Sequence, residues 1–122
     1  MAVTIFAAID VGSYEVSIDI YQISPKIGIE KIDEVRSRIE LGHDTYTNGK
    51  ISYESAQRLG EVLGDFSRIM KEYKVTSYRA CATSTLQEAR NVWIVLEQVY
   101  QKTGIRVEIL SNSEQRFFGY KS

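Results

Sequence analysis

The chain has 122 residues, 43% hydrophobic and 25% charged, with 15 Lys and Arg against 16 Asp and Glu for a formal net charge of -1. That length holds one domain with a real core, and the balanced charge excludes a dedicated nucleic-acid binder, which would carry a basic excess or stripe. The single Cys81 excludes an internal disulfide and a multi-thiolate metal site and favours an intracellular, cytoplasmic setting. No stretch reaches membrane-spanning length, and no basic leader follows Met1, so no membrane partner is expected.

In chain order, the continuous apolar run from Val3 to Ile9 reads as a strand buried on both faces at the centre of a sheet. Val16, Ile18 and Ile20 alternate with Ser17, Asp19 and Tyr21, which predicts a second, antiparallel strand. Pro25 and Gly28 mark a reversal, and Ile29 to Ile39 follows as a third strand with charged residues between its apolar ones. Leu41 to Lys50 is rich in Gly, Asp, Thr and Asn and reads as a loop. Ser52 then stands at a helix N-cap position.

Leu59, Val62, Leu63, Phe66, Ile69, Met70 and Tyr73 recur at helical spacing and give that helix one apolar stripe. Val75 to Ala82 forms a fourth strand, and Ser84 or Thr85 caps a second helix carrying Leu86, Ala89, Val92, Trp93, Leu96, Val99 and Tyr100. Gly104 ends it. Ile105 to Leu110 is a short fifth strand, and a final helix begins at Ser111 or Ser113, with Phe117, Phe118 and Tyr120 as an aromatic group. The pattern alone is mixed α/β.

Three loops attract chemistry. The first strand ends in Asp10-Val11-Gly12-Ser13, where Gly12 lets backbone N–H groups approach an anion, Ser13 adds a hydroxyl donor and Asp10 is placed to hold a hydrated cation. If all five strands share a sheet, the ends of strands one, four and five lie on one edge, where open α/β sheets bind ligands. That edge gathers Asp10, Gly12 and Ser13 with Thr83 and Ser84, and with Ser111 and Glu114. His43 is the only histidine, in a glycine-containing segment without neighbouring ligands, and reads as a solvent-exposed residue. Cys81 falls in a buried strand pattern and reads as an inert core thiol.

The segments Ala8-Ile9-Asp10-Val11-Gly12-Ser13, Arg38-Ile39-Glu40-Leu41-Gly42, Gly49-Lys50-Ile51-Ser52, Ala82 to Asn91 and Ile109 to Gln115 follow in the order and spacing of a known family. Together they resemble the exopolyphosphatase and guanosine pentaphosphate phosphohydrolase (Ppx/GppA) phosphatases, over essentially the whole chain. The resemblance implies a ribonuclease H-like fold, one half of the actin-like ATPase superfamily: a five-stranded mixed sheet of order 3-2-1-4-5 with flanking helices. It implies that residues 1–122 form a single N-terminal subdomain of a longer, two-lobed protein.

The implied chemistry is hydrolysis of a terminal phosphoanhydride bond with Mg2+ and a carboxylate-activated water. On that basis Glu114 is the candidate base, Gly12, Ser13, Thr83, Ser84 and Gln87 the candidate phosphate-binding residues, and Asp10 the candidate metal ligand. The implied partners are inorganic polyphosphate or a guanosine polyphosphate, the second lobe of the same protein and, as an option, a second copy in a homodimer.

Departures from the family pattern are as informative. Tyr14 and Glu15 stand where an Asn and a small residue are usual, adding a ring and a negative charge beside the phosphate turn. Gln87 replaces an arginine clamp, Gln115 replaces the second member of an acidic pair, and Asn112 replaces a frequent Gly. Arg79, Arg90 and Arg116 could compensate in charge, although local pairing or solvent exposure explains each equally simply. These departures frame the alternative of a diverged, non-catalytic domain that senses a phosphate ligand or a protein partner. The isolated chain is expected to be inactive.

Overall fold

The computed structural model describes residues 3–109. Five strands, β1 (Thr4–Val11), β2 (Glu15–Ser24), β3 (Gly28–Arg38), β4 (Ser77–Ala82) and β5 (Val107–Ile109), form one sheet in the order β3-β2-β1-β4-β5. The leading three make an antiparallel meander, whereas β4 pairs parallel with β1 and β5 parallel with β4. The expected sheet order is therefore the observed one. Helices α1 (Leu41–Asn48), α2 (Tyr53–Glu72) and α3 (Val92–Thr103) connect these strands, with a 3-10 turn at Ser84–Glu88 ahead of α3.

The core lies on one face of the sheet. Ala7, Ile9 and Val11 of β1, Val16, Ile18 and Ile20 of β2, and Ala80 and Ala82 of β4 are all buried, as strand alternation requires. Against them α2 packs Leu59, Val62, Leu63 and Phe66, and α3 packs Val92, Val95, Leu96 and Val99, in one contiguous cluster. Ser52 caps α2, its hydroxyl accepting from the Ser55 N–H at 3.1 Å. Gly49 and Gly104 close α1 and α3 in the left-handed conformation, with φ of 71° and 78°.

Three expectations are corrected. The segment from Leu41, read as a loop, is helical through Asn48. Its stability is tertiary: Leu41 is fully buried, and the Thr45 hydroxyl donates back to the Leu41 carbonyl at 3.1 Å. The second helix does not run unbroken from Ser84 or Thr85. A 3-10 turn stops at Glu88 and α3 starts afresh at Val92, which turns Trp93 and Ile94 to solvent, off the buried stripe.

The third correction concerns β1, which is central but not buried on both faces. Its second face presents Phe6 and Ala8, half-buried, and Asp10, exposed, with no helix of the described residues over them. On the same face β4 places Arg79 and Cys81, so Cys81 is half-buried outside the core cluster. Burial still pushes its thiol pKa up, in line with an unreactive group. Arg79 pairs locally, with Glu108 at 3.9 Å.

β3 forms one edge of the sheet and is mostly exposed, with charged residues along it and a register shift opposite Ile20 and Tyr21. The expected final helix, with Phe117, Phe118 and Tyr120, lies outside the described residues.

One side chain ties the helical layer together. The Asn91 amide donates to the Ile51 carbonyl and accepts from the Ile51 N–H, both at 2.9 Å, imitating a strand pair between the α1–α2 link and the start of α3. Its side chain is consequently unavailable to cap α3, and makes no cap bond there. Asn91→Leu should lower the free energy of unfolding by about 2 kcal/mol, because two partly buried backbone groups lose their partners. Urea denaturation of the two proteins measures this. Phe66→Ala, which empties a site that is 1% exposed, should cost about 3–5 kcal/mol by the same assay.

Candidate phosphate-facing site

The parallel register of β1 and β4 sets Val11 beside Ala82, and the Thr83 N–H extends the ladder by donating to the Val11 carbonyl at 3.1 Å. The turn after β1 and the 3-10 turn after β4 therefore open on the same edge of the sheet. Asp10, Gly12, Ser13 and Thr83 fall at this edge, with Ser84 and Gln87 in the 3-10 turn that follows Thr83. The Thr83 hydroxyl oxygen is buried and has no hydrogen-bond partner among the described residues. Gln87 is exposed. Glu114, Ser111, Asn112, Gln115 and Arg116 lie outside the described residues.

The turn spends its carbonyl groups on the protein. Gly12 N–H donates to the Glu15 carbonyl at 2.9 Å, Ile39 N–H to the Tyr14 carbonyl at 3.2 Å, and Gly42 N–H to the Ser13 carbonyl at 2.7 Å. Gly12 thus does not offer its own N–H to an anion. It is glycine because a Cβ there would stand 2.9 Å from the Glu15 carbonyl oxygen. The donors left over are the Ser13 and Tyr14 N–H groups, neither of which donates to a backbone carbonyl among the described residues. Consecutive N–H groups left in this way are the kind of donors that can receive an anion.

Electrostatics around Asp10 are set by the uncovered face. Cross-strand pairing puts Ser17 next to Asp10 and Arg36 next to Ser17, with Asp19 and Glu34 one step along the same strands. Partial desolvation, and then the charges of Asp19 and Glu15, hold the Asp10 carboxyl above its usual range, while Arg36 acts in the opposite direction.

Glu15 is not a free negative charge, because Arg36 Nη1 pairs with it at 2.7 Å. Arg36 also pairs with Glu34, which in turn takes Lys31 at 2.9 Å; Lys31 lies 3.8 Å from Asp19. Tyr14, 51% exposed, stands beside this network. His43 is exposed, as expected.

Among the described residues no three His, Cys, Asp or Glu side chains gather into a metal cage. Among the described residues, the one carboxylate at the turn, Asp10, is the group there that could ligate a Mg2+ ion, which would then be held mainly by water and phosphate oxygens. Arg36 and Gly42 are the contributors that sequence reasoning did not single out for the site. The alternation of β3 carried a signal for the face of Arg36, but nothing local pointed to its pairing with Glu15.

With this geometry in place, the comparisons with known proteins are direct. A model of the Ppx/GppA phosphatase family matches residues 20–120. The chain belongs to this family.

Among curated relatives it is 26% identical to exopolyphosphatase 1 of Mycobacterium leprae, covering 75% of this chain and 30% of that protein. It is also 26% identical to the guanosine-5'-triphosphate,3'-diphosphate pyrophosphatase of Aliivibrio fischeri, covering 90% of this chain and 22% of that protein. The crystal structure of the Aquifex aeolicus Ppx/GppA family member superposes with a TM-score of 0.89 at 27% identity, over 93% of this chain and 37% of that one. An exopolyphosphatase from Cytophaga hutchinsonii, at 23% identity and a TM-score of 0.84, shares the fold. The fold is thus the ribonuclease H-like one of actin-like ATPases, and the chain spans about a third or less of the curated relatives it matches. No helix among the described residues is long and apolar enough to cross a membrane.

The raised pKa of Asp10 carries a sign. The folded chain binds this proton more tightly than the unfolded chain, so ionised Asp10 costs stability above its folded pKa, and the cost disappears as pH falls below the unfolded value near 3.8. Asp10→Asn should therefore raise the melting temperature at pH 7 and leave it nearly unchanged at pH 3. Thermal melts of both proteins across that range check it.

Proposed function

We propose that this chain is the phosphate-facing N-terminal subdomain of a two-lobed hydrolase that removes terminal phosphoryl groups from inorganic polyphosphate or a guanosine pentaphosphate. The observation that carries the reading is the edge shared by the β1 turn and Thr83: two free N–H groups, a buried hydroxyl without a partner among the described residues and a crowded carboxylate, in a chain of this family. The Ser13 and Tyr14 N–H groups and the hydroxyls of Ser13 and Thr83 would hold phosphate oxygens, with Ser84 next in the chain as a further donor, and Gln87 would add a neutral amide. Asp10 would hold Mg2+, which supplies charge neutralisation on the phosphate chain.

Glu114 would orient and deprotonate the attacking water. Phosphoryl transfer depends on positioning and charge neutralisation more than on covalent chemistry, so a single lobe is expected to bind without turning over. The second lobe of a longer protein would close over the phosphate chain and complete the site.

A second reading rests on Tyr14. A half-exposed ring carried on the turn, together with the neutral Gln87, favours a domain that binds a phosphate ligand and does not hydrolyse it. Phosphate release from long-chain polyphosphate, by a longer native reading frame containing this chain, separates the two. Magnesium-dependent release that falls by roughly a hundredfold or more in Glu114→Gln supports the hydrolase. Tight binding with no release supports the sensor, and absence of both binding and release rejects polyphosphate as the ligand.

A further inference from the structure

Gly42 stands at the start of α1, where its N–H donates to the Ser13 carbonyl. A Cβ placed on it would lie 2.6 Å from the Ser13 Cβ, 3.2 Å from the Ser13 hydroxyl oxygen and 3.3 Å from the Ser13 carbonyl oxygen. The first of these is closer than carbon atoms can approach, and it involves the stiff Cβ of the turn itself, which has no rotamer to yield. The φ of Gly42 lies in the ordinary range, so conformational freedom is not the reason for a glycine here. Close approach is.

The approach has a defined product. Gly42 N–H reaches the Ser13 carbonyl at 2.7 Å, and three residues earlier Ile39 N–H reaches the Tyr14 carbonyl at 3.2 Å. The segment entering α1 thus holds both carbonyl groups of the turn. Fully buried Leu41, between the two donors, anchors the segment in the core. The Ser13 carbonyl belongs to the same planar peptide unit as the Tyr14 N–H, so the bond from Gly42 fixes the direction of the Tyr14 N–H.

We infer that Gly42 is a positioning residue of the candidate phosphate turn: its missing side chain lets α1 dock on Ser13 and set the direction of the Tyr14 N–H, one of the groups that would receive an anion. The inference rests on the phosphate-facing reading for its functional meaning. Its structural half, that Gly42 fixes the turn, is testable without any ligand. Helix propensity gives the test its sign, because Ala exceeds Gly by about 1 kcal/mol within a helix. A loss on Gly42→Ala therefore comes from the contact with Ser13 and not from α1.

The test compares four forms of the 122-residue chain: wild type, Gly42→Ala, Ser13→Gly and the double variant, in which loss of the Ser13 Cβ makes room for the methyl group added at position 42. Amide NMR spectra and titration with inorganic tripolyphosphate are recorded for each. Gly42→Ala should displace the residue 13 and 14 amide resonances and raise the tripolyphosphate dissociation constant at least about tenfold, equal to 1.4 kcal/mol. The double variant should return both readouts to those of Ser13→Gly.

Unchanged spectra for Gly42→Ala, or no rescue by Ser13→Gly, overturn the inference. If Gly42→Ala does not fold, the double variant must fold, and its failure to do so overturns the inference as well. Wild type that shows no response to tripolyphosphate rejects the phosphate reading, while the spectra of the four forms still decide whether Gly42 sets the turn.

Discussion

The parallel pairing of β1 with β4 is the interaction on which the rest of the molecule depends. A parallel pair cannot be joined by a tight turn, so the chain between the two strands must cross over the sheet. Here that crossover consists of the β2–β3 meander, α1 and α2. The same pairing brings two strand ends level, Val11 beside Ala82, so that loops far apart in sequence share one edge. Small residues make the central pairing compact: Ala7, Ala80 and Ala82 leave room for Phe66, Leu63 and the α3 stripe to lie across the inner strands.

Much of this was legible because period and punctuation agreed. β2 alternates from Glu15 to Ile20, α2 carries an uninterrupted apolar stripe behind a serine cap, and Gly104 terminates α3 as its position implies. The α1 segment was not legible, since Gly42, Asp44, Thr45 and Asn48 have turn-like composition and its helix is held by contacts with Ser13 and the core. The break before α3 was hidden for a related reason. Asn91 stands at the N-cap but directs its amide to Ile51, a partner that no local pattern reveals.

Of the candidate site, the meeting of the β1 and β4 ends at one sheet edge was legible, through the rule that strand ends attract ligands. What the sequence could not convey was which groups of the turn are already used. In the sequence Gly12 reads as opening backbone N–H groups to an anion, whereas its own N–H goes to the Glu15 carbonyl, which a Cβ at this position would meet at 2.9 Å. Glu15 itself reads as an added negative charge until its pairing with Arg36 is seen. Crowding of Asp10 by Asp19 and Glu15 likewise depends on cross-strand neighbours. A carboxylate kept in such company costs the fold stability when it is ionised.

The exposed edge strand β3 has a consequence for how the protein behaves in crowded solution. Its outward hydrogen-bonding groups could template a strand of a neighbouring chain, yet Glu30, Lys31, Asp33, Glu34, Arg36 and Arg38 line it with charge of both signs, and the register shift against β2 breaks the regular ladder. A second chain added in register would set like charges against each other and meet an irregular backbone. The ion pairs on this strand therefore act as a guard against fibrous self-association, a role that depends on their solvent exposure and not on any stability they contribute to the fold.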